Sequence, residues 1–253
     1  METITSRRNP LISDFRRRAG DREERRSLGL YLGQGHKLLY EAIRNHAPVE
    51  TVLYCGEAPE VPAGVRLQSV SPDILAYVSP MKSAPELLFS CRLPDRNASM
   101  QGRILLAENM QDPGNVGTMI RTAAAFGFDG FLLAGACADP WGPKAVRASM
   151  GAVFRLAIRE ETDGERAVEL LREAGVPIYA AALSEETLTA GRFAFPEPLA
   201  LAIGNEGHGL SDTLLRAAEK IVRIPMAPGA ESLNAAAAAA VLMWEVYRGR
   251  EDV

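Results

Sequence analysis

Three segments hold polar side chains at spacings that could do chemistry: Glu108 to Arg121 (ENMQDPGNVGTMIR), Gly204 to Ser211 (GNEGHGLS) and Ile224 to Asn234 (IPMAPGAESLN). In the first, Asp112-Pro113-Gly114 makes a turn and Asn115 is suited to cap the helix that follows, which puts Arg121 about two turns along it. Arg121 lies among Met119, Ile120, Ala123 and Ala124. A guanidinium on such an apolar stretch needs an anionic partner, either a core carboxylate such as Glu108 or Glu206, or an RNA phosphate or reacting oxygen. In the second segment, Gly204, Gly207 and Gly209 free the backbone for close ligand approach, and Glu206 can accept from backbone donors or neutralise an arginine. His208 has no Asp or Ser partner implied by the sequence and reads as an exposed loop histidine. In the third, Pro225 and Pro228 force an irregular loop, after which Ser232 and Asn234 begin the last helix; Ser232 is in its simplest role that helix's N-cap. Loops of this kind at one sheet edge would form a cleft suited to a flat heterocycle.

Convergence of the three segments requires a particular framework. From residue 103 onward apolar strands and helical stretches alternate. The strands are Ile104 to Ala107, Gly130 to Ala134, Phe154 to Ile158, Pro177 to Ala181, Leu199 to Ile203 and Ile221 to Ile224. The helices are Asn115 to Phe126, Lys144 to Met150, Glu165 to Ala174, Ser211 to Glu219 and Leu233 to Arg248. This order predicts an α/β fold with a mainly parallel sheet and helices on both faces. Ligands in such sheets collect beyond the carboxyl ends of the strands, and each of the three segments follows a strand. The glycines come too late in the chain for a dinucleotide-binding fingerprint, which argues against a nicotinamide enzyme. Residues 31–91 read as a smaller α/β domain, with Ser71-Pro72 opening a helix, and the polar stretch Arg92 to Gln101 reads as the boundary. The expected domains are therefore 1–95 and 103–253.

Composition removes other possibilities. With 28 Lys and Arg against 32 Asp and Glu, the chain is net −4, so an anionic partner must be met by a local patch. The first 30 residues hold eight arginines against five acids, which suits either a solvated amphipathic helix or a phosphate-binding arm. Three scattered cysteines without C-x-x-C and three scattered histidines argue against a disulfide framework and against a bound metal, and fit a reducing cytoplasm. The longest apolar run, Ala235 to Trp244, is well short of the roughly 20 residues that span a bilayer, and the start lacks a secretory pattern, so no membrane association is expected. Six consecutive alanines, Ala235 to Ala240, suggest a helix lying close to another backbone or subunit.

The combination N-V-G-T-M-I-R (Asn115 to Arg121), I-G-N-E-G-H-G-L-S (Ile203 to Ser211) and I-P-M-x4-E-S-L-N (Ile224 to Asn234) resembles the SpoU, or TrmH-type, RNA 2′-O-ribose methyltransferases of the SPOUT superfamily. K-A-V-R-A-S-M-G-A-V-F (Lys144 to Phe154) is similar to the segment between that family's first two motifs. Thr5 to Pro10 and Tyr31 to Ile43 resemble the RNA-binding domain attached to rRNA-directed members, with Gln34 in place of a frequent acid. The resemblance implies a C-terminal trefoil knot, a homodimer with the cleft completed near the partner subunit, and S-adenosyl-L-methionine as cofactor. It implies contacts to that cofactor from Gly204, Ile224 and Leu233, with Glu206 and Met226 close by, and an active centre of Asn115, Arg121, Glu206, Ser232 and Asn234. It also implies an RNA substrate, rRNA before tRNA. Because a guanidinium is hard to deprotonate, Arg121 is expected to stabilise the developing ribose alkoxide rather than act as a base. The alternative is an RNA-binding protein of the same fold that no longer transfers methyl groups, against which the intact Arg121, Glu206, Ser232 and Asn234 speak.

Overall fold

The computed structural model describes residues 2–79, 81, 85–182, 187–191, 193–229 and 232–249. In chain order its first elements are α1 (Pro10–Gly20), α2 (Arg22–Leu28), β1 (Leu30–Gln34), α3 (His36–Arg44), β2 (Val49–Tyr54), β3 (Arg66–Ser69), α4 (Pro72–Val78) and β4 (Leu87–Arg92). There follow β5 (Arg103–Glu108), α5 (Pro113–Ala125), β6 (Gly130–Ala134), α6 (Pro143–Ala148), β7 (Ala157–Glu161), α7 (Gly164–Glu173) and β8 (Ile178–Ala181). The last are β9 (Leu188–Thr189), β10 (Leu199–Ile203), α8 (Asp212–Ala217), β11 (Lys220–Arg223) and α9 (Ala235–Arg248). The chain packs as two units, Met1–Pro94 with Asp139–Phe154, and Asp95–Ala138 with Arg155–Val253.

The first unit centres on a sheet ordered β1-β4-β2-β3 among the described residues, with β4 antiparallel to both neighbours. Asn9 caps α1 by accepting from Leu11 N–H, with Pro10 in the first helical turn, where its missing N–H costs nothing. Ser71 holds the N-cap position before Pro72 as its sequence predicts, without a side-chain capping bond. Ile12, Phe15, Leu53, Ile74 and Leu75 close the core between α1, α4 and the sheet. Asp139–Phe154, which the sequence reading kept with the second domain, joins this unit through a buried ion pair. Arg25 directs Nε and Nη2 at Asp139 Oδ2 (2.8 and 2.6 Å) and Nη1 at the Arg18 carbonyl (2.6 Å). Trp141 packs 4.9 Å from Tyr31 between ring centroids.

In the second unit the sheet order is β7-β6-β5-β10-β8-β11-β9 among the described residues, and each of these pairings is parallel. Ile104, Leu106, Leu132, Ala180 and Ala202 pack under α7 and α8. Alternation turns the equally buried Leu105, Phe131, Leu133 and Leu201 to the opposite face, where α5 and α9 lie against each other. Ala235, Ala236 and Ala239 are buried, as is Gly117 on α5, so small side chains allow that close helix pairing. Two details depart from the sequence reading. The strand expected at Phe154 to Ile158 runs instead over Ala157–Glu161, because Met150 and Gly151 turn left-handed (φ 51 and 90°) and Ala152–Phe154 forms a 3-10 turn. The strands β1 and β9 were not read from the sequence; β9, of two residues, carries no period at all.

Candidate active site

Parallel pairing sets β5 beside β10, and β8 carries β10 on one edge and β11 on the other. The loops leaving β5, β10 and β11 are the three polar segments, so they emerge at one end of the sheet. Asp112, not Asn115, caps α5: its Oδ1 accepts from Gly114 and Asn115 N–H at 2.5 and 3.1 Å. That leaves the Asn115 side chain free to reach across 91 residues of sequence, where its Nδ2 donates to Glu206 Oε1 at 2.5 Å. Likewise Asn234, not Ser232, caps α9, accepting from Ala236 and Ala237 N–H at 3.0 and 3.2 Å. Its Nδ2 donates to Asn115 Oδ1 (3.1 Å) and Glu206 Oε1 (3.4 Å). One carboxylate oxygen thus accepts from two amides held on two helix starts.

The loop carrying Glu206 is fixed from below. A Cβ on Gly204 would stand 2.1 Å from the Gly209 carbonyl carbon, so only glycine permits the loop to close on itself. Asn205 Nδ2 donates to the Asn109 carbonyl (3.1 Å), and Asn205 Oδ1 accepts from Gly207 N–H (2.8 Å). At the far end, Glu108 is 3% exposed and accepts from Ser211 N–H at 2.7 Å. Glu108 therefore holds the glycine loop rather than Arg121. Sequence reasoning weighed Glu108 only as an arginine partner and missed Asn109 and Asn205; the available signal was a carboxylate ending an otherwise apolar strand.

Beside this network lies an open cleft of about 180 Å³. Gly204, Glu206, Ile224, Met226 and Leu233, the five expected cofactor contacts, all line it, as does Ser232. Ile203, Val222 and Leu242 supply apolar wall, and Ala181, Ala235 and Ala238 keep it wide. Arg121 does not line this cleft. Helical periodicity buries Val116, Met119, Ile120 and Ala123 and turns Arg121 outward with Thr118 and Ala125, so neither expected core ion pair forms. His208 stands exposed on the loop. Val241 and Trp244 are exposed on α9, as is Leu233 just before its N-cap, with Trp244 5.7 Å from Phe126 between ring centroids.

Other chemistries find little footing. Burial pushes the Cys91 thiol up to about 12 and raises that of Cys137, so neither offers a thiolate nucleophile at neutral pH. Among the described residues no cluster of three or more His, Cys, Asp or Glu could hold a metal, and no helix is long and apolar enough to cross a membrane.

The model of the SpoU rRNA Methylase family matches residues 102–244. Over 249 residues the chain is 30% identical to 23S rRNA (guanosine(2553)-2′-O)-methyltransferase RlmP of Bacillus subtilis (strain 168), covering 97% of this chain and 99% of that protein. It is 35% identical over 265 residues to 23S rRNA (uridine(2479)-2′-O)-methyltransferase of Streptomyces viridochromogenes, covering 98% and 92%. The crystal structure of an AdoMet-bound rRNA methyltransferase from Sinorhizobium meliloti superposes with a TM-score of 0.87 at 28% identity, covering 98% of this chain and 97% of that one.

Proposed function

The chain belongs to the SpoU rRNA methylase family, and from that premise we propose that it transfers a methyl group from S-adenosyl-L-methionine to a ribose 2′-hydroxyl of RNA, with ribosomal RNA as the substrate. The observation that carries this reading is the convergence of Asn115, Glu206 and Asn234 in one hydrogen-bonded group beside a cleft lined by Gly204, Ile224, Met226 and Leu233. The cleft's chemistry suits the cofactor. Apolar walls accept an adenine, small alanines leave room for a bent ligand, and the Glu206 carboxylate complements a sulfonium charge. When bound, the cofactor supplies an electrophilic methyl. The chain's own residues must then orient the ribose and favour loss of its proton. Asn115 and Asn234 hold Glu206 in place, and Ser232, which lines the cleft, meets the ribose in this reading.

In this reading Arg121 stabilises the developing alkoxide and the neighbouring phosphate. Its outward position within its own chain favours a second copy as the recipient. The protein works as a homodimer, with Arg121 of one protomer serving the cleft of its partner. The exposed Val241 and Trp244 on α9, with Leu233 exposed before its N-cap beside the cleft, support such an interface. The return of α9 onto α5, with β10 set between β5 and β8, supports the trefoil-knotted C-terminal half that the family implies. Residues 1–95 serve as the RNA substrate-binding domain, and free, buried thiols at Cys91 and Cys137 suit a reducing, cytoplasmic setting.

The test is transfer of labelled methyl from the cofactor to deproteinised ribosomal RNA, with the product located by its resistance to alkaline cleavage. Label appearing at 2′-O-methyl positions is the expected result. RNA binding without transfer would instead establish the non-catalytic alternative.

A further inference from the structure

Seven of the eight arginines of the first 30 residues separate into two groups by their partners. Arg17 pairs with Asp14 (2.6 Å) and Glu24 (3.5 Å), Arg26 with Glu23 (3.7 Å) and Arg25 with Asp139 (2.6 Å). Arg18 is buried, and desolvation lowers its pKa. These side chains build the unit. Arg7, Arg8 and Arg16 are exposed, and among the described residues no carboxylate lies within 4.0 Å of them. Asp73, one turn before Tyr77 on α4, pairs with none of the three.

Arg7 and Arg16 nevertheless share a fixed platform. Their guanidinium carbons stand 4.8 and 5.3 Å from the centroid of the Tyr77 ring. The ring is set by α4, and Arg16 by α1, which packs on α4. Arg7 is set by a turn pinned at both ends: Ile4 N–H donates to the Ser69 carbonyl and Ser71 N–H to the Ile4 carbonyl, each at 3.0 Å, while Asn9 caps α1. The two charges therefore lie within about 10 Å of each other, about one Debye length at physiological salt, and they repel without a carboxylate between them. A polyanion crossing the ring relieves that repulsion, and the ordering of both side chains has already been met by the fold.

Resting on the RNA methyltransferase reading, we propose that Arg7 and Arg16, held over Tyr77, are a preformed clamp for the phosphate backbone of the RNA substrate, with Arg8 beside it. Arg17, Arg18, Arg25 and Arg26 are structural. The clamp explains how a chain of net charge −4 can grip a polyanion, because the cations that matter are the ones left unneutralised.

The probe is labelled, fragmented ribosomal RNA, and the measurement is the affinity of the full chain as a function of salt. Arg7→Ala/Arg16→Ala removes two phosphate contacts, so the slope of log affinity against log salt should be shallower by about 1.4. Arg17→Ala, whose charge is already matched by carboxylates, keeps the wild-type slope. Tyr77→Leu keeps both charges and hence the slope, and lowers affinity about threefold. Circular dichroism confirms that each variant is folded. An unchanged slope in the double variant overturns the proposal, and so does an equal flattening by Arg17→Ala, which would make net charge the sole cause. Polyglutamate displacing the RNA as well as competing RNA does would reassign the surface to an acidic protein. Methyl transfer at saturating RNA and low salt separates the two readings. A wild-type chain with the predicted slopes but no transfer would keep the clamp and end the enzymatic reading.

Discussion

The two units carry opposite charge. Unit one, Met1–Pro94 with Asp139–Phe154, holds 15 Lys and Arg against 12 Asp and Glu, a net of +3. Unit two, with the cleft, holds 13 against 20, a net of −7. A polyanion is attracted to the first and repelled by the second, which accords with the proposal that RNA is gripped by one unit and methylated in the other. The acidic excess of unit two also makes Arg121 conspicuous, a cation turned outward on α5 without an ion pair among the described residues. Charges in unit one act collectively and at range. At the cleft the Glu206 carboxylate acts singly, through hydrogen bonds of 2.5 and 3.4 Å.

The comparison can be broken most severely at Gly204. Gly204→Ala drives a methyl group into the Gly209 backbone, which should cost about 1–3 kcal/mol of stability and lower methyl transfer by at least about 10²-fold. Calorimetry with S-adenosylhomocysteine should show binding lost while RNA affinity remains. Asp139→Ala tests the opposite separation. It leaves Arg25 buried and unpaired and should destabilise unit one by about 3–5 kcal/mol in chemical denaturation. S-adenosylhomocysteine affinity should not change. The smallest effect sharpens the account of the network. Asn234→Ala should cost about 1 kcal/mol through the lost cap of α9, whereas Asn234→Asp keeps the cap but sets a second carboxylate against Glu206. The Asp variant should therefore lose methyl transfer although it keeps the cap, a loss that a purely capping role cannot produce.

How much of this was legible beforehand follows from the range of the forces involved. The strands of unit two were readable because parallel strands buried on both faces are continuous apolar runs, as in Ile104–Ala107 and Leu199–Ile203. The caps of α5 and α9 were assigned three and two positions away from the true ones. Asp112 and Asn115, like Ser232 and Asn234, are all competent caps, and the choice is settled by Glu206, 91 positions from Asn115 and 28 from Asn234. A core carboxylate was one of two partners open to Arg121 because its sequence neighbours are apolar, yet a 3.6-residue period separates it from them. The attachment of Asp139–Phe154 to unit one was hidden for a similar reason, since Arg25 and Asp139 are 114 residues apart.

The central claim is that the reaction site of unit two is completed across a dimer, and mixed dimers test it most directly. Heterodimers of Arg121→Ala and Glu206→Ala, isolated through two different tags, contain one cleft in which the intact Glu206 of one chain meets the intact Arg121 of the other. Such heterodimers should transfer methyl to ribosomal RNA at about half the wild-type rate, although each homodimer alone is nearly inactive. A heterodimer no more active than the two homodimers would contradict the claim.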